Sequence, residues 1–194
     1  MRLGPLFVTA NYFGEVHFAL TLGERVHMKK LLVLDYKNYT EELPVYEKHT
    51  VRAIIMKDGK LAMQQSHTGE YKILGGVVEE GESHLTTILR EVEEEAGMFV
   101  KADSLREIGV VEEKRLDVFH KNRIYHCLTY FYGCDVEDGV VPLKLTDSEV
   151  AKGYKLAWAT PQQIVETNRA LIKEKWKLRD TEFVNLLLEG KVHD

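Results

Sequence analysis

The sequence predicts a mixed fold of the α+β or α/β class, a sandwich built around a mixed β-sheet. Three observations carry that expectation. Short apolar runs separated by turn signals alternate irregularly with only a few helical stretches. One of those stretches, 83–97, carries capping signals at both ends and an apolar stripe between them. The 194 residues are 44% apolar and 29% charged, enough for one domain, with or without an extension, and a sizeable core.

In chain order, residues 1–45 read as a strand-rich N-terminal extension and 46–194 as the main domain. Residues 5–20 are apolar and aromatic without a clean period and suit one or two short strands, which would complete a sheet or a dimer edge. Met28 is itself a plausible translation start, so 1–27 read equally well as an upstream run of the reading frame. The run Leu31–Tyr36 is a compact strand. Val51–Met56 and Leu61–Met63 read as a hairpin closed by Asp58-Gly59. Tyr71–Leu74 is a third strand, ended by Gly75-Gly76.

A helix follows, with Ser83 as N-cap and Leu85, Ile88, Leu89, Val92 and Ala96 as its stripe. Gly97 stands where a left-handed C-terminal residue is wanted. Strands are expected at 106–113, 124–136 and 154–158. Thr160-Pro161 opens a second helix with proline at its first position, and a last helical stretch covers 175–189.

Composition excludes several function classes. Lys plus Arg number 26 against 31 Asp plus Glu, a formal charge of −5. That argues against a nucleic-acid or anionic-membrane binder driven by a basic surface. No apolar run approaches the roughly 18–20 residues that cross a bilayer, and the N-terminus lacks a signal-peptide core. Cys127 and Cys134, on one strand with seven steps of roughly 3.3 Å between them, lie beyond disulfide reach. A soluble protein of the reducing cytoplasm is the simplest expectation.

The helix at 83–97 is the informative stretch. With Leu85 as zero and about 100° per residue, its apolar stripe falls between about −60° and +40°. Glu91, Glu95 and Glu94 fall at about −120°, −80° and 180°, along one edge of the stripe, and Glu93 on the other side. Glutamate runs usually form a solvated face. Here the like-charge neighbours Glu91/Glu94 and Glu91/Glu95 each cost roughly 0.2–0.5 kcal/mol, and Arg90 is the one cation nearby. A hard divalent cation would offset them, and the Gly75-Gly76 turn lets backbone approach such an ion.

Gly76, Glu82, Arg90, Glu91, Val92, Glu94, Glu95, Gly97 and Met98 match every fixed position of the Nudix box. Seven identities and two apolar positions at set spacing over 23 residues make a specific motif. The chain is identified by it as similar to the Nudix hydrolases, with softer likeness over about 45–190. The resemblance implies an α/β/α sandwich and hydrolysis of a nucleoside diphosphate linked to another moiety, a small-molecule nucleotide substrate. It implies Mg²⁺ or Mn²⁺ on Glu94, Glu95 and the Gly75 carbonyl, with Glu91 a further ligand or the base. Arg90 and Glu82 resemble the pair that orients those carboxylates.

A second base or ligand from a distant loop is common in the family, and Glu149 is the candidate, with Glu112 and Glu113 as rivals. The markers of several substrate subclasses are absent: residues 99–141 hold no proline, and Tyr125 lies too far past the box. Tyr46, Tyr71, Tyr130, Phe131 and Tyr132 are candidates for base stacking, and for those on strands core packing or cross-strand pairing is the better expectation. His120, Lys121 and Arg123 could meet phosphate, though a solvated loop fits them better. His49, His67 and His84 read as surface or strand histidines, with His84 in the first helical turn and so near a ligand.

Two other classes compete. A nucleotide-sensing module without turnover would have lost box glutamates, and the isoprenyl diphosphate isomerase branch needs an early cysteine. Both are disfavoured. The apolar N-terminal segment suits a homodimer.

Overall fold

A computed structural model describes residues 28–193. The N-terminal segment 1–27, and with it the expected strand pair and dimer edge, lies outside the described residues. The strands are β1 Lys30–Asp35, β2 Val45–Ile54, β3 Met56–Lys57, β4 Lys60–Gln65, β5 Tyr71–Ile73, β6 Arg106–Leu116, β7 Ile124–Gly133 and β8 Lys155–Ala159. The helices are α1 His84–Ala96, α2 Asp147–Ala151, α3 Pro161–Leu171 and α4 Arg179–Leu188.

One sheet has the order β1-β6-β7-β2 and is mixed: β1/β6 and β2/β7 are parallel, β6/β7 antiparallel. In the other, β4 is central and antiparallel throughout, with β8 on one edge and β3 and β5 on the other. β1 belongs to the same sheet as the strands of the main domain.

The period of two along the strands sorts side chains into two cores. Val51, Ala53, Ala62, Leu74, Tyr130 and Tyr132 face α1 through Ile88, Val92 and Ala96. Ile54, Leu61, Met63, Ile73 and Phe131 face the other way, against Ile164, Phe183 and Val184 of α3 and α4. The Phe131 and Phe183 rings stack at 3.7 Å. Helices on both faces of the sheet layer make an α/β/α sandwich.

The expected hairpin forms only at its tip. Asp58 and Gly59 both have positive φ (51° and 70°), the geometry of a tight type I′ turn. Met56 and Lys57 pair back onto Leu61 and Lys60 and the Ile55 carbonyl accepts the Ala62 N–H at 3.0 Å, whereas residues 51–54 pair with β7. Ile55 is where the chain changes sheets, and its burial with the α1 core explains why an apolar run continues through the break. Both caps of α1 form as expected: Ser83 accepts from the Thr86 N–H, and Gly97 is left-handed at φ 67°. Cys127 and Cys134 are buried and in no disulfide.

His126 on β7 links three strands. Its Nε2 lies 3.0 Å from Glu112 on β6 and its Nδ1 3.3 Å from Glu47 on β2. These two carboxylates, Glu112 foremost, raise its pKa from 6.5 to about 9 despite burial. A raised folded-state pKa gives stability that is complete below 6.5 and lost as pH climbs through about 9. His126→Gln is therefore expected to lower stability near pH 6 by ~1–3 kcal/mol. The deficit should shrink towards pH 10, as thermal melts of both proteins across that range would show.

Candidate active site

The glutamates project from α1 beside its buried stripe, as the helical wheel requires. Glu82, one residue before the N-cap, is gripped by Arg90 through Nε and Nη2, each at 2.9 Å. The Thr87 hydroxyl donates to the same carboxylate at 2.8 Å. Arg90 foremost holds the Glu82 carboxyl down at about 2. From the same guanidinium, Nη1 reaches Glu91 at 2.7 Å and Glu94 at 3.4 Å. Arg90 thus ties three carboxylates to one side of the helix.

Glu95 is the buried member, 2% exposed. Its Oε2 accepts the Gly75 N–H at 2.8 Å and its Oε1 the Lys72 ammonium at 2.6 Å. Burial outweighs these partners and pushes its pKa up to about 7. Glu149 also stands beside it: the two carboxyls are hydrogen-bond neighbours, and Lys72 lies 3.8 Å from Glu149. Glu149 is fixed by a capping box, accepting from the Thr146 N–H and hydroxyl at the start of α2. Burial raises its pKa, but the Thr146 bonds and Lys72 outweigh that and hold it below the ordinary value.

The glycine turn is shaped around these groups. A Cβ on Gly76 would sit 2.0 Å from Glu91 Oε1, so the missing side chain is the space that carboxylate fills. Gly75 has φ 129°, and a Cβ there would meet the Val51 carbonyl at 2.3 Å. Among the described residues, no three carboxylate, imidazole or thiolate groups are already arranged to hold a metal ion. Arg90 and Lys72 supply the counter-charge instead. The donor set nonetheless fits a hard cation: carboxylate oxygens on one helix edge, one of them buried, against a turn stripped of side chains.

The expected residues divide clearly. Gly75, Glu82, Arg90, Glu91, Glu94, Glu95 and Glu149 come together. Glu112 pairs with Lys30 and His126 at a distance from the helix. Glu113, on the opposite face of the same strand, is tied to Arg115 at 2.6 Å and Arg179 at 3.3 Å. Glu93 points away and meets Lys144 at 2.6 Å.

Tyr130, Phe131 and Tyr132 are core residues, at most 4% exposed. Arg123 is bound to Asp117 at 2.6 Å and lies over the Tyr46 ring, while His120 and Lys121 are exposed. The reading of His84 as a surface histidine needs correction. It is 6% exposed, bonded to the Tyr132 hydroxyl at 2.6 Å, and burial lowers its pKa to about 4. The first turn of α1 presses that ring onto Tyr130.

Sequence reasoning missed Lys72. Strand alternation would have found it, since Lys72 and Leu74 share a face and Leu74 belongs to the α1 core. It also missed a cavity of about 650 Å³ opening beside Lys72. Six cations line it, Arg52, Lys72, Arg115, Lys152, Lys177 and Arg179, against three acids, Glu70, Glu113 and Asp180. Tyr71, Tyr125 and Trp176 are among its aromatic walls.

The family model of the NUDIX domain matches residues 47–180. The chain belongs to the NUDIX family. A MutT-like protein of Streptomyces ambofaciens is 27% identical over 137 residues, 70% of this chain and 78% of that protein. The solved structure of a NUDIX hydrolase from Nitrosomonas europaea superposes with a TM-score of 0.56 at 19% identity. It covers 76% of this chain and 93% of its own, and so shares the fold. As a Nudix enzyme the chain is a pyrophosphatase, cleaving a phosphoric anhydride, in a family that generally hydrolyses nucleoside diphosphate derivatives.

Proposed function

We propose that this Nudix enzyme hydrolyses the diphosphate bond of a nucleoside diphosphate linked to another moiety, by in-line attack of water on phosphorus. Glu91, Glu94, Glu95 and the Gly75 carbonyl would hold Mg²⁺ or Mn²⁺. When bound, such a cation neutralises charge on phosphoryl oxygens and makes water more acidic. The observation that carries the reading is the buried Glu95 carboxylate, bonded to the glycine turn and to Lys72, which itself lines a cavity with twice as many cations as acids.

The chain's own residues supply the rest. Arg90 and Glu82 keep the helix carboxylates in place, so their orientation precedes substrate binding. Lys72 stands where the buried carboxylate and the cavity meet, within reach of a phosphoryl oxygen. Glu149, ionised and adjacent to Glu95, is placed to accept the proton of the attacking water. Glu91 is the alternative base, but Arg90 already engages it. The buried thiols, neither in a disulfide, agree with a reducing cytoplasm as its setting.

Phosphate release across nucleoside triphosphates, oxidised nucleotides, ADP-ribose, nucleotide sugars and dinucleoside polyphosphates tests the function. Turnover of one class that needs Mg²⁺ or Mn²⁺ and stops with chelator is expected. Turnover indifferent to chelator would overturn the metal role. For the base, Glu149→Gln is expected to lower kcat by ~10²–10⁴-fold with metal binding unchanged. Glutamine can still cap Thr146 through its carbonyl oxygen, so the local fold is kept. An unaltered rate would assign the base to Glu91.

A further inference from the structure

Five charged side chains form a continuous ribbon along the cavity wall, in the order Arg115, Glu113, Arg179, Asp180, Arg52. The successive nitrogen-to-oxygen distances are 2.6, 3.3, 3.3 and 2.9 Å. Their side chains are between 2% and 13% exposed. The ribbon begins and ends on arginine, so three guanidiniums share two carboxylates. Guanidinium does not discharge in proteins. Among the described residues, the ribbon therefore keeps one positive charge in excess, within a chain whose net charge is −5. Counted over the whole cavity lining, six cations face three acids, and an anion entering the cavity would offset that excess.

The two ends differ. Arg52 lies close enough to Glu95 for its charge to act on that carboxyl, so this end abuts the Nudix box. At the other end the Arg115 guanidinium sits between two rings, 4.1 Å from Tyr125 and 4.9 Å from Trp176. The rings fix its plane. Its Nε donates to Glu113 and its Nη1 to the Leu116 carbonyl, and among the described residues its Nη2 edge has no protein acceptor. A fixed planar fork beside a second arginine suits the tetrahedral oxygens of a phosphate.

We propose that the Arg115–Arg179 end of the ribbon is a second anion subsite, which binds a phosphate group of the substrate remote from the bond that is cleaved. The inference rests on the hydrolase reading in assigning that phosphate to the substrate. The subsite itself needs no metal.

Trp176 reports on it directly, because the chain has two tryptophans and Trp158→Phe leaves Trp176 alone. In that background, with chelator present, inorganic phosphate is expected to quench emission saturably and to raise the melting temperature. Arg115→Gln should abolish both effects. Its melting temperature without phosphate is the baseline, since the variant also loses the bonds to Glu113 and the Leu116 carbonyl. Should that variant fail to fold, Arg115→Lys keeps the charge and loses the fork, and phosphate affinity should fall ~10-fold or more. No quench and no protection, or effects equal in the Arg115 variants, would overturn the subsite.

Kinetics distinguish substrate phosphate from the free ion. With a substrate carrying a remote phosphate, Arg115→Gln should raise KM ~10-fold or more, with a smaller change in kcat. An unchanged KM alongside metal-dependent turnover overturns this inference and leaves the hydrolase reading standing. Phosphate binding without turnover of any substrate would overturn the hydrolase reading instead.

Discussion

Glu95→Gln is expected to lower kcat by ~10²–10³-fold or more while the protein stays folded, the scale of losing one fixed electrostatic group at a charged transition state. The fold is kept because glutamine is the same shape and its carbonyl oxygen still accepts the Gly75 N–H. The substitution also removes a charge that burial disfavours at a 2% exposed position. What is lost is the anionic oxygen needed for a cation, and the charge facing Lys72. Glu93→Gln is the matched control, since Glu93 lies on the other side of the same helix, on Lys144. Steady-state kinetics and thermal melts of the two variants check this. A near wild-type kcat for Glu95→Gln would remove Glu95 from the metal site.

The second large effect comes from a single added methyl group. Gly76→Ala places a Cβ 2.0 Å from Glu91 Oε1 and 2.7 Å from Oε2. The backbone can accept it, because Gly76 is not in the left-handed region, and the obstacle is the far end of a movable side chain. The carboxylate must therefore leave its place, and displacement of a catalytic group by about 1 Å can cost 10²-fold. A kcat loss of that order with little change in melting temperature is expected. Gly75→Ala should behave oppositely. Its φ of 129° and the Val51 carbonyl at 2.3 Å make the fault one of folding, so its melting temperature should fall. Equal effects of the two alanines on stability would contradict this division.

The box was legible because everything it needs lies within 23 residues. Ser83 and Gly97 announce both ends of α1, and 3.6-residue periodicity places Glu91, Glu94 and Glu95 on one edge. Glu149 was legible only through the family resemblance, since its approach to Glu95 depends on how α2 is docked. Lys72 was hidden by reading the helix alone. Its strand sets it against the helix, and that pairing belongs to tertiary structure. The hairpin was half legible: the Asp58-Gly59 turn follows from local chemistry, but the departure of 51–54 to β7 is a choice between distant partners.

His84 illustrates a different gap. Its polarity suggests the surface, and only the Tyr132 hydroxyl across the core explains its burial. The ribbon was the least legible feature. Glu113 with Arg115 and Arg179 with Asp180 are local pairs, but no spacing relates the contributions of β2, β6 and α4 to one another. Each alone reads as an ordinary surface charge.

Mn²⁺ binding tests, without knowledge of the substrate, the proposal that the carboxylates beside the glycine turn hold a divalent cation. Titration of the wild type followed by electron paramagnetic resonance should show saturable binding. Glu95→Gln should weaken it ~10-fold or more, on the scale of lost hydrogen bonding to a charged group, and Glu93→Gln should leave it unchanged. Equal Mn²⁺ affinity in the wild type and Glu95→Gln would contradict the assignment of the cation to this helix.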